Sequence, residues 1–252
     1  EYAPENGLSF TEMMTDECTA YEGKVFLERT TGSNTDVIPF VNYNLEPSNT
    51  IVKHTWQTAY SDLNVINKAL DKLTASTDFA STPTGLQYQA ELRFLRALYH
   101  FNMVRLFGPI PIVDHSLTVS ESYGVLRSPE EDVYKFIIDD LNFAIQNLPL
   151  RSAAIQDGQI TKGAAETCLG EVYLTRGDKA KAASVLKDVI NSGQYQLEPN
   201  YADLWNLNNK NCKESILEIQ YVAAAGQPAS PYLEEWAPFE NFSITAQGHG
   251  LN

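Results

Sequence analysis

The chain has few of the residue types that carry most enzymatic chemistry. Its 252 residues include four histidines and three cysteines, and neither set is spaced for a site. His54, His100, His115 and His249 make no HExxH or HxH pair, and Cys18, Cys168 and Cys212 make no CxxC. Metal coordination needs such ligands at short, fixed spacings, so no metal site is expected. A GxSxG turn, a phosphate-cradling glycine loop and a Rossmann fingerprint are also missing, which removes the usual basis for an activated serine or a bound nucleotide. Basic charge is scarce: 18 Lys and Arg stand against 32 Asp and Glu, for a net charge of −14. That balance repels a polyanion and argues against nucleic acid as a partner. No uncharged run approaches the roughly 18 residues of a membrane-crossing helix.

What is present is ordinary globular material, 43% hydrophobic and 20% charged, in a chain long enough to bury a sizeable core. The most informative stretch is "ELRFLRALYHFNMVRLFGPIPIV", Glu91 to Val113. Between Leu92 and Phe107, 11 of 16 residues are apolar or aromatic, and they do not form one stripe. Phe94, Leu98 and Phe101 trace one face, while Leu95, Met103 and Leu106 trace another. A helix apolar on more than one side is covered from several directions. Arg93, Arg96, His100 and Arg105 exclude a membrane as that cover. Gly108 suits a left-handed cap, and Pro109 and Pro111 prevent continuation.

Other helices follow from the 3.6-residue period. Val52, Trp56, Ala59, Leu63, Ile66, Leu70 and Leu73 form a seam, with Thr50 as its N-cap. A polar break, "TASTDFASTPTG", precedes the central helix. In "SPEEDVYKFIIDDLNFAIQNLP", Ser128 caps, Pro129 takes the first helical position, and Glu130 and Glu131 complement the positive helix end. Thr161 opens "TKGAAETCLGEVYLTRG", which a short turn joins to "DKAKAASVLKDVINSG", with Gly193 as C-cap. Cys168 reads as a small buried hydrophobe. "ESILEIQYV" changes period from 3.6 to 2 and predicts a short strand.

The last helical pair carries a repeat. Leu169, Gly170, Tyr173, Gly177, Ala182, Leu186 and Val189 follow the tetratricopeptide spacing of small and large positions. Gly170 and Ala182 permit close crossing, and Tyr173 fills the groove. Ala90, Phe94 and Ala97 repeat part of that spacing earlier.

These segments together resemble the SusD/RagB family. "AELRFLRALYHFNMVRLFGPIPIV" is similar to its signature helix, and "WQTAYSDLNVINKAL" to the Trp-x-x-x-Tyr helix before it. "RSPEEDVYKFIIDDLNFAIQNLP", "ITKGAAETCLGEVYLTRGDKAKAASVLKDVINSGQYQLEPNYADLW" and "ESILEIQY" follow in family order. The resemblance spans residues 51–222. It implies an all-α fold, a tetratricopeptide-like superhelix of helical hairpins, with loop-rich segments and a short strand near the C-terminus. It also implies a lipoprotein on the outer-membrane surface of Bacteroidetes-type bacteria that binds oligosaccharide or polysaccharide without a cofactor and passes it to a SusC-like TonB-dependent transporter. Membrane contact through a lipid anchor, and most of the family's second half, are expected to lie outside these residues. Three regions result: 1–50, a mixed helix and loop segment; 51–212, the helical domain; and 213–252, the start of the irregular second half.

No catalytic residues are assigned. Glu130/Glu131 serve the helix dipole, Asp139/Asp140 read as solvated, and Glu234/Glu235 are adjacent side chains that diverge and cannot flank one glycosidic bond. Binding chemistry fares better. A sugar lays its C–H face on an aromatic ring while amides and carboxylates bond its hydroxyls, and loops on a rigid scaffold supply both. Asn34, Asp36, Asn42 and Tyr43 precede the first long helix, and Tyr232, Trp236, Phe239 and Asn241 lie near the chain end. These eight are the candidate glycan-binding residues. Trp56 and Trp205 are expected in the core, and Arg93 and Arg96 are expected to pair with carboxylates or carbonyls. The alternative reading is a tetratricopeptide scaffold that binds peptides or proteins in its groove.

Overall fold

The structure is a computed structural model that describes residues 38–41 and 43–220. Five long helices dominate: α1 (Thr50–Ala75), α2 (Pro83–Phe107), α3 (Glu130–Asn147), α4 (Lys162–Thr175) and α5 (Lys179–Asn191). The chain divides into two compact units, Glu1–Asp62 with Tyr221–Asn252, and Leu63–Gln220. The boundary falls inside α1.

Helix α1 is capped one residue earlier than expected. The Asn49 side chain accepts from the N–H groups of Ile51 at 3.0 Å and Val52 at 3.3 Å, so Thr50 is already helical. Along the seam, Ala59, Leu63, Ile66 and Leu70 are buried. Helix α2 also begins earlier. Thr82 accepts from the Gly85 N–H at 3.0 Å with Pro83 at the first position, the arrangement in which proline's missing N–H costs nothing. A one-turn helix, Thr77–Ala80, occupies the polar break. Gly85 lies so close to it that a Cβ would sit 2.0 Å from the Phe79 carbonyl oxygen.

Two adjoining faces of α2 are buried, one through Ala90, Phe94, Ala97, Phe101 and Val104, the other through Gln89, Arg96, His100 and Met103. Leu106, on the remaining edge, is exposed. The helix ends at Gly108, whose φ of 67° is left-handed and suits glycine. In Leu63–Gln220, α2 packs on α3, α3 on α4 and α4 on α5, and α2 also reaches α4. This is the stacked-hairpin arrangement of an all-α, tetratricopeptide-like fold. At the α4–α5 crossing a Cβ on Gly170 would lie 2.6 Å from Leu186 Cδ2, and Ala182 is fully buried. The close approach expected of the small residues is realised there.

The strand expected over "ESILEIQYV" is not formed among the described residues. Through Gln220 the segment is extended, but no backbone ladder flanks it. Period-two alternation identifies extended chain, whereas a strand also needs a neighbour's backbone. Here side chains supply the pairing, as the Asn211 N–H donates to Glu218 Oε1 at 3.1 Å. Leu217 and Ile219 remain exposed. Among the described residues the one β-bridge joins Ile110 and Ser128. The N-cap of α3 is Pro129 rather than Ser128, and no side chain caps it.

A polar group sits at the centre of the Leu63–Gln220 unit. Arg96 is buried, and its Nε and Nη2 donate to the Asp140 carboxylate at 2.7 and 2.8 Å. Its Nη1 donates to Asn67 Oδ1 at 3.0 Å and to the Asp114 carbonyl at 2.7 Å. The guanidinium also lies over the Phe136 ring, 4.8 Å from its centroid. One turn on, His100 Nδ1 is 2.9 Å from the Arg96 carbonyl, and the Val113 N–H approaches Nε2 at 3.5 Å. Nε2 therefore accepts and Nδ1 carries the proton of a neutral imidazole. The Asn67 amide donates to the Val113 carbonyl at 2.9 Å, so the Pro-rich stretch after α2 is held at both its N–H and its C=O.

Removing one partner of a buried pair strands the other charge. Asp140→Ala is expected to lower the unfolding free energy by about 3–5 kcal/mol, and Glu171→Ala, which breaks the exposed pair with Arg105 at 2.8 Å, by under about 1 kcal/mol. Urea titration of both variants checks the contrast. Burial holds His100 at about 4, below the ordinary 6.5, so the unfolded chain takes up that proton first. Its contribution to stability is complete above pH 6.5 and is lost progressively as pH falls toward 4. Melting temperatures across that range are expected to fall less steeply with acid in His100→Phe than in the parent. Asp140, whose carboxyl burial pushes up against the pull of Arg96, acts in the opposite sense in both proteins.

Candidate functional site

Of the eight candidate glycan-binding residues, Tyr43 falls within the described residues. It lies in the turn after a one-turn helix, Ile38–Val41, that the Asn44 N–H closes on the Pro39 carbonyl at 3.1 Å. Its φ is +52° and its ring is 73% exposed. A left-handed backbone is uncommon for a bulky residue, and here it accompanies a side chain left open to solvent. Asn34, Asp36, Asn42, Tyr232, Trp236, Phe239 and Asn241 lie outside the described residues.

A second exposed aromatic element belongs to the Leu63–Gln220 unit. Tyr201–Trp205 forms a 3-10 turn whose rings pair edge to face at 6.3 Å and 70°. Trp205 is 73% exposed and Tyr201 71%, which corrects the expectation of a buried Trp205. The turn is closed by its own amides. Asn200 accepts from the Ala202 N–H at 3.3 Å, Asn206 from the Asn208 N–H at 3.0 Å, and the Asn209 amide donates to the Asp203 carbonyl at 3.2 Å. An asparagine that caps locally ends a helix before it can bury a face, so "NYADLWNLNN" forms short turns and leaves its rings outside. The asparagines on both sides of Trp205 were the legible signal. Trp56, also expected in the core, is half-buried and stacks on Tyr60 at 4.8 Å.

The ionisable groups inside the helices are structural. Asp140, expected solvated with Asp139, is buried on Arg96. The reason is its helical face: it falls one turn from Ile137 and Ala144, whereas Asp139 points outward. Arg93 lies 3.8 Å from the same carboxylate and over the Phe143 ring at 4.1 Å. Both arginines are thus engaged with protein groups, as expected. Glu130, Glu131 and Asp132 occupy the first turn of α3, and Glu131 pairs with Arg176. Burial pushes the Cys168 thiol up to about 12, which keeps it protonated and unreactive. Among the described residues no group of His, Cys, Asp and Glu could hold a metal ion, and no helix is long and apolar enough to cross a membrane.

Comparison with known proteins gives these features a context. A SusD-like family model, described as "Starch-binding associating with outer membrane", matches residues 11–174. The chain is 30% identical over 195 residues to a "SusD-like protein" of Bacteroides ovatus, covering 73% of this chain and 35% of that protein. It thus spans about a third of the length of that curated relative. Among solved structures it resembles a "Laminarin binding SusD-like protein", with 33% identity, a TM-score of 0.69, and coverage of 78% of this chain and 43% of that one. A structure solved "with xylogluco-oligosaccharide" is similar at 26% identity and a TM-score of 0.68, covering 82% and 43% of the two chains.

In this 252-residue chain, Trp205→Ala is expected to change stability by no more than about 0.5 kcal/mol, as for other exposed positions. Leu63→Ala in the buried seam is expected to cost about 2–5 kcal/mol. Thermal melts of the two variants check the exposure of Trp205.

Proposed function

The chain belongs to the SusD-like family, and from that premise we propose that it is part of a non-enzymatic, surface-exposed receptor that captures oligosaccharide or polysaccharide. In this reading the receptor is lipid-anchored at the outer membrane and hands its ligand to a SusC-like TonB-dependent transporter. The single observation that carries the proposal is the likeness of fold and sequence to a laminarin-binding protein and to one solved with a xylogluco-oligosaccharide. The chemistry of this chain agrees with it. Its buried ionisable groups are committed to structure, so capture rather than turnover is what the scaffold supports.

Capture followed by release favours modest affinity. Dissociation constants from micromolar to millimolar, about −8 to −4 kcal/mol, hold a ligand near a transporter without trapping it. Aromatic rings suit that range because they stack on sugars broadly while neighbouring amides set orientation. Tyr43 is the proposed stacking residue of the N-terminal loop, with Asn34, Asp36 and Asn42 as its polar neighbours. Trp236 fills the same role near the chain end, with Tyr232, Phe239 and Asn241.

Calorimetry of the full-length protein against laminarin, xyloglucan and starch oligosaccharides tests the reading. Binding of at least one neutral glycan, with no product formed on prolonged incubation, is the expected result. Tyr43→Ala and Trp236→Ala are each expected to weaken that binding about tenfold, or ~1.4 kcal/mol, with the melting temperature nearly unchanged. A large drop in melting temperature would reassign those rings to packing. Binding of peptides in place of glycans would favour the scaffold alternative.

A further inference from the structure

The connection from α3 to α4, with residues 211–218, walls a cleft of about 250 Å³ in the Leu63–Gln220 unit. Among the described residues its lining does not include Tyr43. Arg151 builds its floor by donating to the carbonyl oxygens of Asn211 and Cys212, both at 2.7 Å, of Ser215 at 2.5 Å and of Lys213 at 3.3 Å. Its guanidinium is thus committed to backbone. Asn211 has a φ of +55°, and its amide exchanges hydrogen bonds with the Gln220 amide at 3.1 and 2.9 Å. On the opposite wall Gly158 has a φ of +77° and comes so close that a Cβ would lie 2.7 Å from Gln220 Cγ. Two left-handed residues and an arginine therefore set the walls before any ligand arrives.

What remains to meet a ligand has a definite character. Gln156, Asp157, Ser215 and Glu218 line the cleft. Among the described residues the side chains of Gln156 and Asp157 make no hydrogen bond, and Glu218 commits Oε1 to the Asn211 N–H. Ile155 and Leu217 add exposed apolar surface, 86% and 39% accessible. Two carboxylates against the single charge of Arg151 leave the lining net negative, which favours hydroxyl donors over anions. Two carboxylates alone are also too few for a metal site, and none is formed by the described residues. The cleft is smaller than the roughly 300–1,000 Å³ of sites for drug-sized ligands, which limits it to a single ring.

We propose that this cleft is a second carbohydrate site, one that holds a single ring of a neutral, hydroxyl-rich glycan and excludes uronic or sulfated ones. The ring's hydroxyls donate to Asp157 and to the open oxygen of Glu218, Gln156 bridges a neighbouring hydroxyl, and the C–H face rests on Ile155 and Leu217. The inference rests on the reading that the protein binds oligosaccharide. Its added content is a site built from Gln156, Asp157 and Glu218 and a selectivity for uncharged sugar.

Methyl NMR of the full-length protein tests it, with the δ1 methyls of Ile155 and Ile216 as reporters and calorimetry in parallel. The probes are laminarihexaose, a xyloglucan heptasaccharide, maltohexaose and trigalacturonic acid. The Ile155 signal is expected to shift saturably with a neutral probe and not with trigalacturonic acid. In a Gln156→Ala, Asp157→Ala double variant that saturation is expected to need about tenfold more sugar, while the calorimetric binding that Tyr43→Ala weakens persists. Asp157→Lys is expected to admit trigalacturonic acid. If calorimetry registers a neutral glycan while Ile155 stays still, the cleft is not a site and the proposed function stands. If no neutral glycan binds by either method, the proposed function fails and the cleft proposal with it.

Discussion

One buried guanidinium organises the helical unit. Taking Arg96 out of water costs several kcal/mol unless its donors find acceptors, and the fold provides acceptors for four of its five N–H groups. Two go to Asp140 on α3, one nitrogen serves both Asn67 on α1 and the Asp114 carbonyl after α2. A hydrophobic contact tolerates sliding, whereas a bidentate fork with fixed acceptors does not. The pair thus contributes less to net stability than to register: it specifies which turn of α3 faces which turn of α2. His100 extends the same requirement to the chain after α2, because its neutral imidazole meets the Val113 N–H only when that segment lies across α2.

A core locked in this way is chemically quiet. The buried carboxylate, arginine and imidazole bond to one another or to backbone, and the buried thiol stays protonated. Chemistry open to a partner is left to the turns. Tyr43, the Tyr201–Trp205 pair and the cleft beside Gly158 lie where helical periodicity has ended and local amides hold the chain. This division, a rigid frame with recognition on irregular segments, agrees with the family to which the chain belongs and whose relatives include glycan binders.

Helices were legible because their signal is short-range. The seam of α1, the two buried faces of α2 and the Gly170–Ala182 crossing each follow from residues a few positions apart. Long-range partners were not legible. Arg96 and Asp140 are separated by 44 positions, and nothing near Asp140 distinguishes it from Asp139 except the face it occupies. Trp205 shows the opposite error. Its place after "NYADL", a docking segment in the family resemblance, suggested burial, but the flanking asparagines close the backbone into turns with no apolar face to bury. The segment ending at Gln220 shows why alternation does not suffice for a strand, since Asn211 bonds to Glu218 and Gln220, and Arg151 to the Ser215 carbonyl, where a ladder would have run. The cleft escaped notice because Arg151, Gly158 and Asn211 share no local pattern.

The order of the stack has a dynamic consequence. Helix α2 touches α3 and α4, whereas α5 packs on α4 and buries only Ala182 and Val189 within its length. In an array held by nearest neighbours, opening starts from the element with the fewest of them. Amide protons of α5 are therefore expected to exchange with solvent through a local opening that leaves the Arg96 centre intact, and those of α2 only when the whole unit unfolds. Protection is expected to decline from α2 toward α5, which leaves the Tyr201–Trp205 turn that follows α5 at the softer end of the Leu63–Gln220 unit.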